Sequence, residues 1–201
     1  MIAQFDPIAV LGRPTGRPKI HLDRISFRLA KVIGKTSNGD QKQPALYLLY
    51  GGDEVGFARG ELGRRDPTII LHLKIFQRHL QDFAGRGIGS LLALAFGQYV
   101  HRKDGRSLIS SRSNSAEAFA LWMRLVKHGL AVAPDHADLR YLLNNAERQR
   151  QGLPDKFKTQ RHLLHATKDR FQMRTDVLAN QEKLSAFVAK RMEAAAMAVQ
   201  Q

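Results

Sequence analysis

Around residue 85 the spacing of apolar side chains changes period. Before it, Ile69, Leu71, Leu73 and Ile75 fall at alternate positions, the pattern of a half-buried strand. After it, Ile88, Leu91, Leu92, Ala95, Phe96 and Tyr99 recur at intervals of three and four, the pattern of an amphipathic helix. Gly85, Gly87 and Gly89 occupy the change, within the run Asp82-Phe83-Ala84-Gly85-Arg86-Gly87-Ile88-Gly89-Ser90-Leu91-Leu92. Such a chain passes from strand to helix through a loop whose glycines, lacking Cβ, let the backbone approach an anion closely. The helix start adds unpaired N–H groups and the positive end of its dipole, and Arg86 adds an ionic contact from within the loop. A pyrophosphate is the anion this pattern suits.

The flanking segments define the setting. Residues 1–19 carry Pro7, Gly12, Pro14, Gly16 and Pro18 and read as an irregular arm. Alternation over 19–33, a turn at 35–40, an apolar run at 45–50, a turn at 51–53 and renewed alternation over 54–62 predict a strand followed by a β-hairpin. Residues 68–76 add another strand, so three or four consecutive antiparallel strands precede the loop. The helix over 88–100 ends at Lys103-Asp104-Gly105, a short strand follows over 107–111, and Asn114 or Ser115 caps a second helix that runs to His128 and stops at Gly129.

Beyond Pro134 the composition turns to Ala, Leu, Gln, Lys and Arg, which predicts helices over 138–150 and, with bends, over 155–199. Leu164, Phe171, Leu178, Val188 and Met192 fall on one stripe, to be packed on the domain or against a second copy, as a homodimer through the C-terminal helices. The expected organisation is an arm (1–19), a domain (20–135) and a basic helical extension (136–201). The expected fold class is α+β, a three-layer arrangement with a mixed, mainly antiparallel sheet flanked by helices.

Two familiar phosphate loops do not fit. A dinucleotide fingerprint requires Gly-x-Gly-x-x-Gly inside a βαβ unit, and a nucleoside triphosphate loop requires Gly-Lys followed by Ser or Thr; the window contains neither. Instead the chain resembles the GNAT superfamily of acyl-CoA N-acyltransferases, in which antiparallel strands lead into an Arg/Gln-x-x-Gly-x-Gly/Ala loop. Gly87-Ile88-Gly89 fills the Gly-x-Gly part, while Ala84 stands at the Arg/Gln position. The hairpin Tyr47-Leu48-Leu49-Tyr50-Gly51-Gly52-Asp53-Glu54-Val55-Gly56-Phe57-Ala58 and the helix ending Leu121-Trp122-Met123-Arg124-Leu125-Val126-Lys127-His128-Gly129-Leu130 extend the resemblance over 20–133.

The resemblance implies a GNAT-like sheet and an acyl donor, acetyl-CoA or another acyl-CoA. It implies a donor site at Phe83, Gly85, Arg86, Gly87, Ile88, Gly89, Ser90 and Asn114, and transfer of the acyl group to a primary amine. A backbone N–H between residues 73 and 79 would polarise the thioester. Many members protonate the departing thiolate with a Tyr four residues before the helix-ending Gly; here that position is Leu125. For the base, His72 and His79 lie in or beside the strand, and imidazole titrates at about 6.5, close to what a base requires. Glu54 and Glu61 on the preceding strand are the alternatives, and the solvent side of a strand is the plain role for either histidine. Trp122 reads as a packing residue.

Charge bears on the acceptor. Lys and Arg total 32 against 18 Asp and Glu, a formal net charge of +14. Residues 1–135 carry 20 basic and 11 acidic side chains, and residues 136–201 carry 12 and 7, so the excess is spread along the chain. An anionic partner is expected: an acceptor borne on tRNA, an acidic protein or an acyl carrier protein. A non-enzymatic nucleic-acid-binding or scaffolding protein of the same fold is the rival reading. The absence of cysteine excludes disulfides, thiolate zinc sites and cysteine nucleophiles. His162 and His165, one turn apart without a third ligand, read as surface residues, and no metal is expected. With no long apolar run and no leader-like start, cytoplasmic location and no membrane association are expected.

Overall fold

The computed structural model describes residues 20–36, 39–62, 68–83, 85–111, 115–135, 144, 147–148, 150–153, 170–174, 177–178 and 180–198. Four long strands come first: β1 (Ile25–Thr36), β2 (Gly39–Tyr50), β3 (Asp53–Leu62) and β4 (Thr68–Ile75). Each pairs antiparallel with the next. A short helix α1 (Leu80–Phe83) and a long helix α2 (Ile88–Asp104) lead to β5 (Ser107–Ile109); α3 (Ala116–Lys127), β6 (Ala131–Val132), β7 (Gln172–Met173) and α4 (Glu182–Ala198) complete the described elements. The seven strands form one mixed, mostly antiparallel sheet in the order β1-β2-β3-β4-β5-β7-β6, an α+β architecture.

Strand parity decides which face is buried. Phe27, Leu46, Leu48, Ala58, Ile69 and Leu71 lie on one face and are buried against α2 and α4. Phe27 meets Phe187 of α4 edge-on at 6.4 Å between ring centres. The opposite face carries Arg28, Tyr47, Phe57 and Lys74 in one cross-strand row and Ala30, Ala45, Arg59 and His72 in the next. The β1–β2 hairpin reaches further than the apolar pattern predicts, pairing Thr36 with Gly39. At that end no described helix covers the sheet, Ile33 is 69% exposed, and no apolar alternation is needed.

Helix α2 begins at Gly87, which has φ 88° and no side-chain cap, and stops at Gly105, with φ 65° and its N–H donating to the His101 carbonyl. Both conformations are left-handed, where glycine alone is unstrained. The helix is buried on nearly every side. Helix α3 is capped by Ser115, whose Oγ accepts from the Ala118 N–H at 3.2 Å, and Gly129 beyond it has φ 69°.

The C-terminal segment departs from expectation. A continuous helical run over 155–199 is incorrect at Gln172–Met173, which form β7 between β5 and β6. Among the described residues of 136–201, Phe171, Met173, Leu178, Leu184 and Val188 belong to the same core as the first four strands. Gln98, itself buried, ties α2 to this segment by donating to the Leu178 carbonyl and to Ser185 Oγ, each at 3.0 Å. A strand of two paired residues is too short to leave a period in a helix-rich composition. The stripe expected to serve packing or pairing is used inside the chain at Phe171, Leu178 and Val188; Leu164 lies outside the described residues. Among the described residues no helix is long and apolar enough to cross a membrane.

Candidate functional site

Strands β4 and β5 are parallel but stay together for only three pairs, Thr68 with Ser107, Ile69 with Leu108 and Ile70 with Ile109. From there β4 continues to Ile75, while the chain after β5 turns to the other side, where Ser110 N–H donates to the Phe171 carbonyl at 2.9 Å. The parting strands open a cavity of about 560 Å³. Leu71, Leu73 and Ile75 of β4 form one wall, and Leu121 and Trp122 of α3 another. Trp122 is held by a parallel stack on Phe171, 5.8 Å between centres and 8° between planes. The β4 and α3 walls are mainly apolar.

The mouth of the cavity is polar. Gly85, Gly87, Gly89 and Ser90 line it, and the α2 amides of Ile88, Gly89 and Ser90, in the first turn, have no intrahelical acceptor. The first bond of the helix runs from Leu91 N–H to the Gly87 carbonyl at 2.9 Å. Arg124 of α3 reaches the same place, its Nη1 3.4 Å from Ser90 Oγ. Free amides, a positive dipole end and a guanidinium thus converge on one rim, an arrangement suited to a phosphate group. Elongated molecules with an anionic head and a slender, largely apolar arm match both the rim and the walls.

His72 also lines the cavity, at the point where β4 and β5 part. Its Nε2 is 2.9 Å from Glu61 Oε2, and both side chains are about one third exposed. A carboxylate only accepts, so Nε2 donates in this contact, and the neutral form of the ring with that tautomer has its lone pair on Nδ1. The contact is a diagonal across β3 and β4: His72 stands opposite Arg59, and Glu61 opposite Ile70.

A second cavity, about 650 Å³, lies on the other side of α1. Arg24, Tyr50, Asp53, His79, Asp82 and Arg86 are among its lining, and Phe83 separates it from the first by lining both. Arg24 sits over the Tyr50 ring at 4.6 Å.

The sequence-predicted residues therefore divide. His72, Phe83, Gly85, Gly87, Gly89 and Ser90 meet at the first cavity. Arg86 does not: it is 8% exposed, donates from Nη1 to the Asp82 carbonyl at 3.0 Å and lines the second cavity. The loop turns back over α1 there and takes the side chain with it. His79 also faces the second cavity, accepting at Nε2 from Arg78 Nε at 3.1 Å. Ile88 is in the core and offers the rim only its amide. Leu125 is completely buried, and Asn114 lies outside the described residues. Arg124 was missed, although Glu117, Leu121 and Arg124 share one helical face and all line the cavity; the three-and-four spacing was the available signal. Among the described residues no three His, Asp or Glu side chains gather as metal ligands. Compared with models of known protein families and with curated proteins, the chain matches none.

Proposed function

We propose that this protein is an acyltransferase of GNAT type, moving an acetyl or other acyl group from coenzyme A to a primary amine. The observation that carries the reading is the joint placement at one cavity of an uncapped, glycine-rich helix start, an apolar channel between parting strands and a histidine–carboxylate pair. The α2 amides and Arg124 would hold the pyrophosphate, and the Leu71, Leu73 and Leu121 walls the apolar arm. When bound, the donor supplies an activated acyl carbon and a thiolate leaving group.

The chain's own residues then have defined tasks. Glu61 holds Nε2–H and leaves Nδ1 of His72 to accept a proton from the incoming amine. The N–C bond forms, the C–S bond breaks, and the proton held on His72 balances the charge on the departing sulfur. Leu125 has no acid function and is buried, so the proton returns through His72 or water. The test is release of free thiol from acetyl-CoA in the presence of small primary amines, coupled to calorimetric titration of acetyl-CoA alone. Saturable binding with amine-dependent thiol release supports the reading; no binding of acetyl-CoA overturns it.

A further inference from the structure

The face of the sheet away from α2 and α4 carries an ordered row of side chains that the acyl-transfer reading does not use. Arg28 of β1 lies over the ring of Tyr47 of β2 at 4.5 Å. Tyr47 meets Phe57 of β3 at 5.7 Å, and Phe57 meets Phe76, just past β4, at 6.0 Å. Arg78 closes the row, its guanidinium 6.0 Å from the Phe76 ring. Lys74 stands opposite Phe57 in register. The three rings are half-buried, whereas Arg28, Lys74 and Arg78 are exposed. Glu54, the ion-pair partner of Arg28, is the acidic side chain bonded into the row.

We infer that this row is a binding platform for single-stranded RNA. Aromatic rings on one face of an antiparallel sheet stack unpaired bases, and arginines at the edges pair with the phosphates between them. At about 4.8 Å between strands, a row crossing four strands is about 14 Å long, enough for two or three nucleotides. The formal charge of +14 supplies the complementary field. Duplex nucleic acid fits poorly, because its bases are not free to stack on the rings.

The platform also has a position relative to His72. Phe57 and Arg59 are two residues apart on one face of β3, and Lys74 and His72 likewise on β4. A strand lying on the row brings an amine at its end to the histidine. That last connection rests on the acyl-transfer reading; the binding itself does not.

Fluorescence anisotropy of the full chain with a labelled oligouridine 12-mer tests the platform, with a duplex of equal length and polyglutamate as parallel probes. Tyr47→Leu and Phe57→Leu keep apolar volume but remove the ring faces, and each is expected to weaken RNA binding about tenfold. Arg78→Ala reduces the slope of log affinity against log salt by about 0.7. Tyr99→Leu, on α2, leaves binding unchanged. Photocrosslinking of 4-thiouridine RNA to the wild-type chain maps to the peptides holding Tyr47, Phe57 and Phe76, which keeps the test decisive if a leucine variant fails to fold. Crosslinks elsewhere, unchanged affinity in both leucine variants, or polyglutamate binding as tightly with the same sensitivity would overturn the proposal, the last in favour of an acidic protein partner. Acetyl-CoA titration alongside separates the two claims: RNA binding lost with acetyl-CoA retained strikes the platform, and the converse strikes the transferase.

Discussion

Replacing Gly89 by Asp separates ligand recognition from folding, because the structure predicts opposite signs for the two. Gly89 lies in the first turn of α2 at the cavity mouth. A Cβ added there meets Leu73 Cδ2 at 3.7 Å, an ordinary contact. Asp is the better helix former by a few tenths of a kcal/mol, and a carboxylate at a helix start gains about 0.3–1 kcal/mol from the dipole. For a chain of this size, 1 kcal/mol corresponds to roughly 2–4 °C in Tm, so the variant should melt at or slightly above the wild-type temperature. The same carboxylate lies about 5 Å from any phosphate seated on the first-turn amides, where one pair of like charges costs about 3 kcal/mol at an effective dielectric of about 20. Solvent and salt at the open rim reduce this by roughly half, and a pyrophosphate presents two such charges, so the sum returns to about 3 kcal/mol. Calorimetric titration should therefore show the Kd for acetyl-CoA raised roughly 100-fold, with Gly89→Ala near wild type. An Asp variant that binds acetyl-CoA as tightly as the wild type refutes the placement of phosphates at α2.

Further outcomes follow from named contacts. Arg124→Ala should weaken acetyl-CoA by roughly tenfold or more, the scale of one charge-assisted hydrogen bond, and dephosphorylated pantetheine should be indifferent to the change. His72→Gln should lower kcat by about 10²–10⁴ without altering acetyl-CoA affinity. Glu61→Gln, whose amide donates to Nε2 and moves the proton to Nδ1, should lower kcat by at least about tenfold through the wrong tautomer; steady-state and binding assays together would check both. Phe171→Ala should cost about 3–5 kcal/mol of stability in denaturant unfolding, and a chain truncated at Pro134 should lack cooperative melting, because β7 and the core residues of α4 are missing.

How far the sequence leads depends on the range of the interaction concerned. The alternation at Ile69, Leu71, Leu73 and Ile75, the helix start at Ile88, the stop at Gly105 and the cap at Ser115 are local, and all are legible in the chain. The strand at Gln172–Met173 is not, because a two-residue strand exists only through its partners, Ile109 on one side and Ala131–Val132 on the other. The meeting of His72 with Glu61 depends on the β3–β4 register, which alternation alone leaves open by two residues at a time. Arg86 shows the limit of motif reading: the loop was legible, but the direction of its charged side chain depends on the carbonyl of Asp82 in the preceding turn. Arg124 reaches the rim from a different helix, so no reading confined to the loop would have included it.

Amide hydrogen exchange with and without saturating acetyl-CoA tests the central claim most directly. Exchange is expected to slow across 85–92, where the first-turn amides of α2 take up the phosphates, and along 71–75 of β4. Exchange unchanged in 85–92, or protection confined to the second cavity around Arg24 and Tyr50, would contradict it.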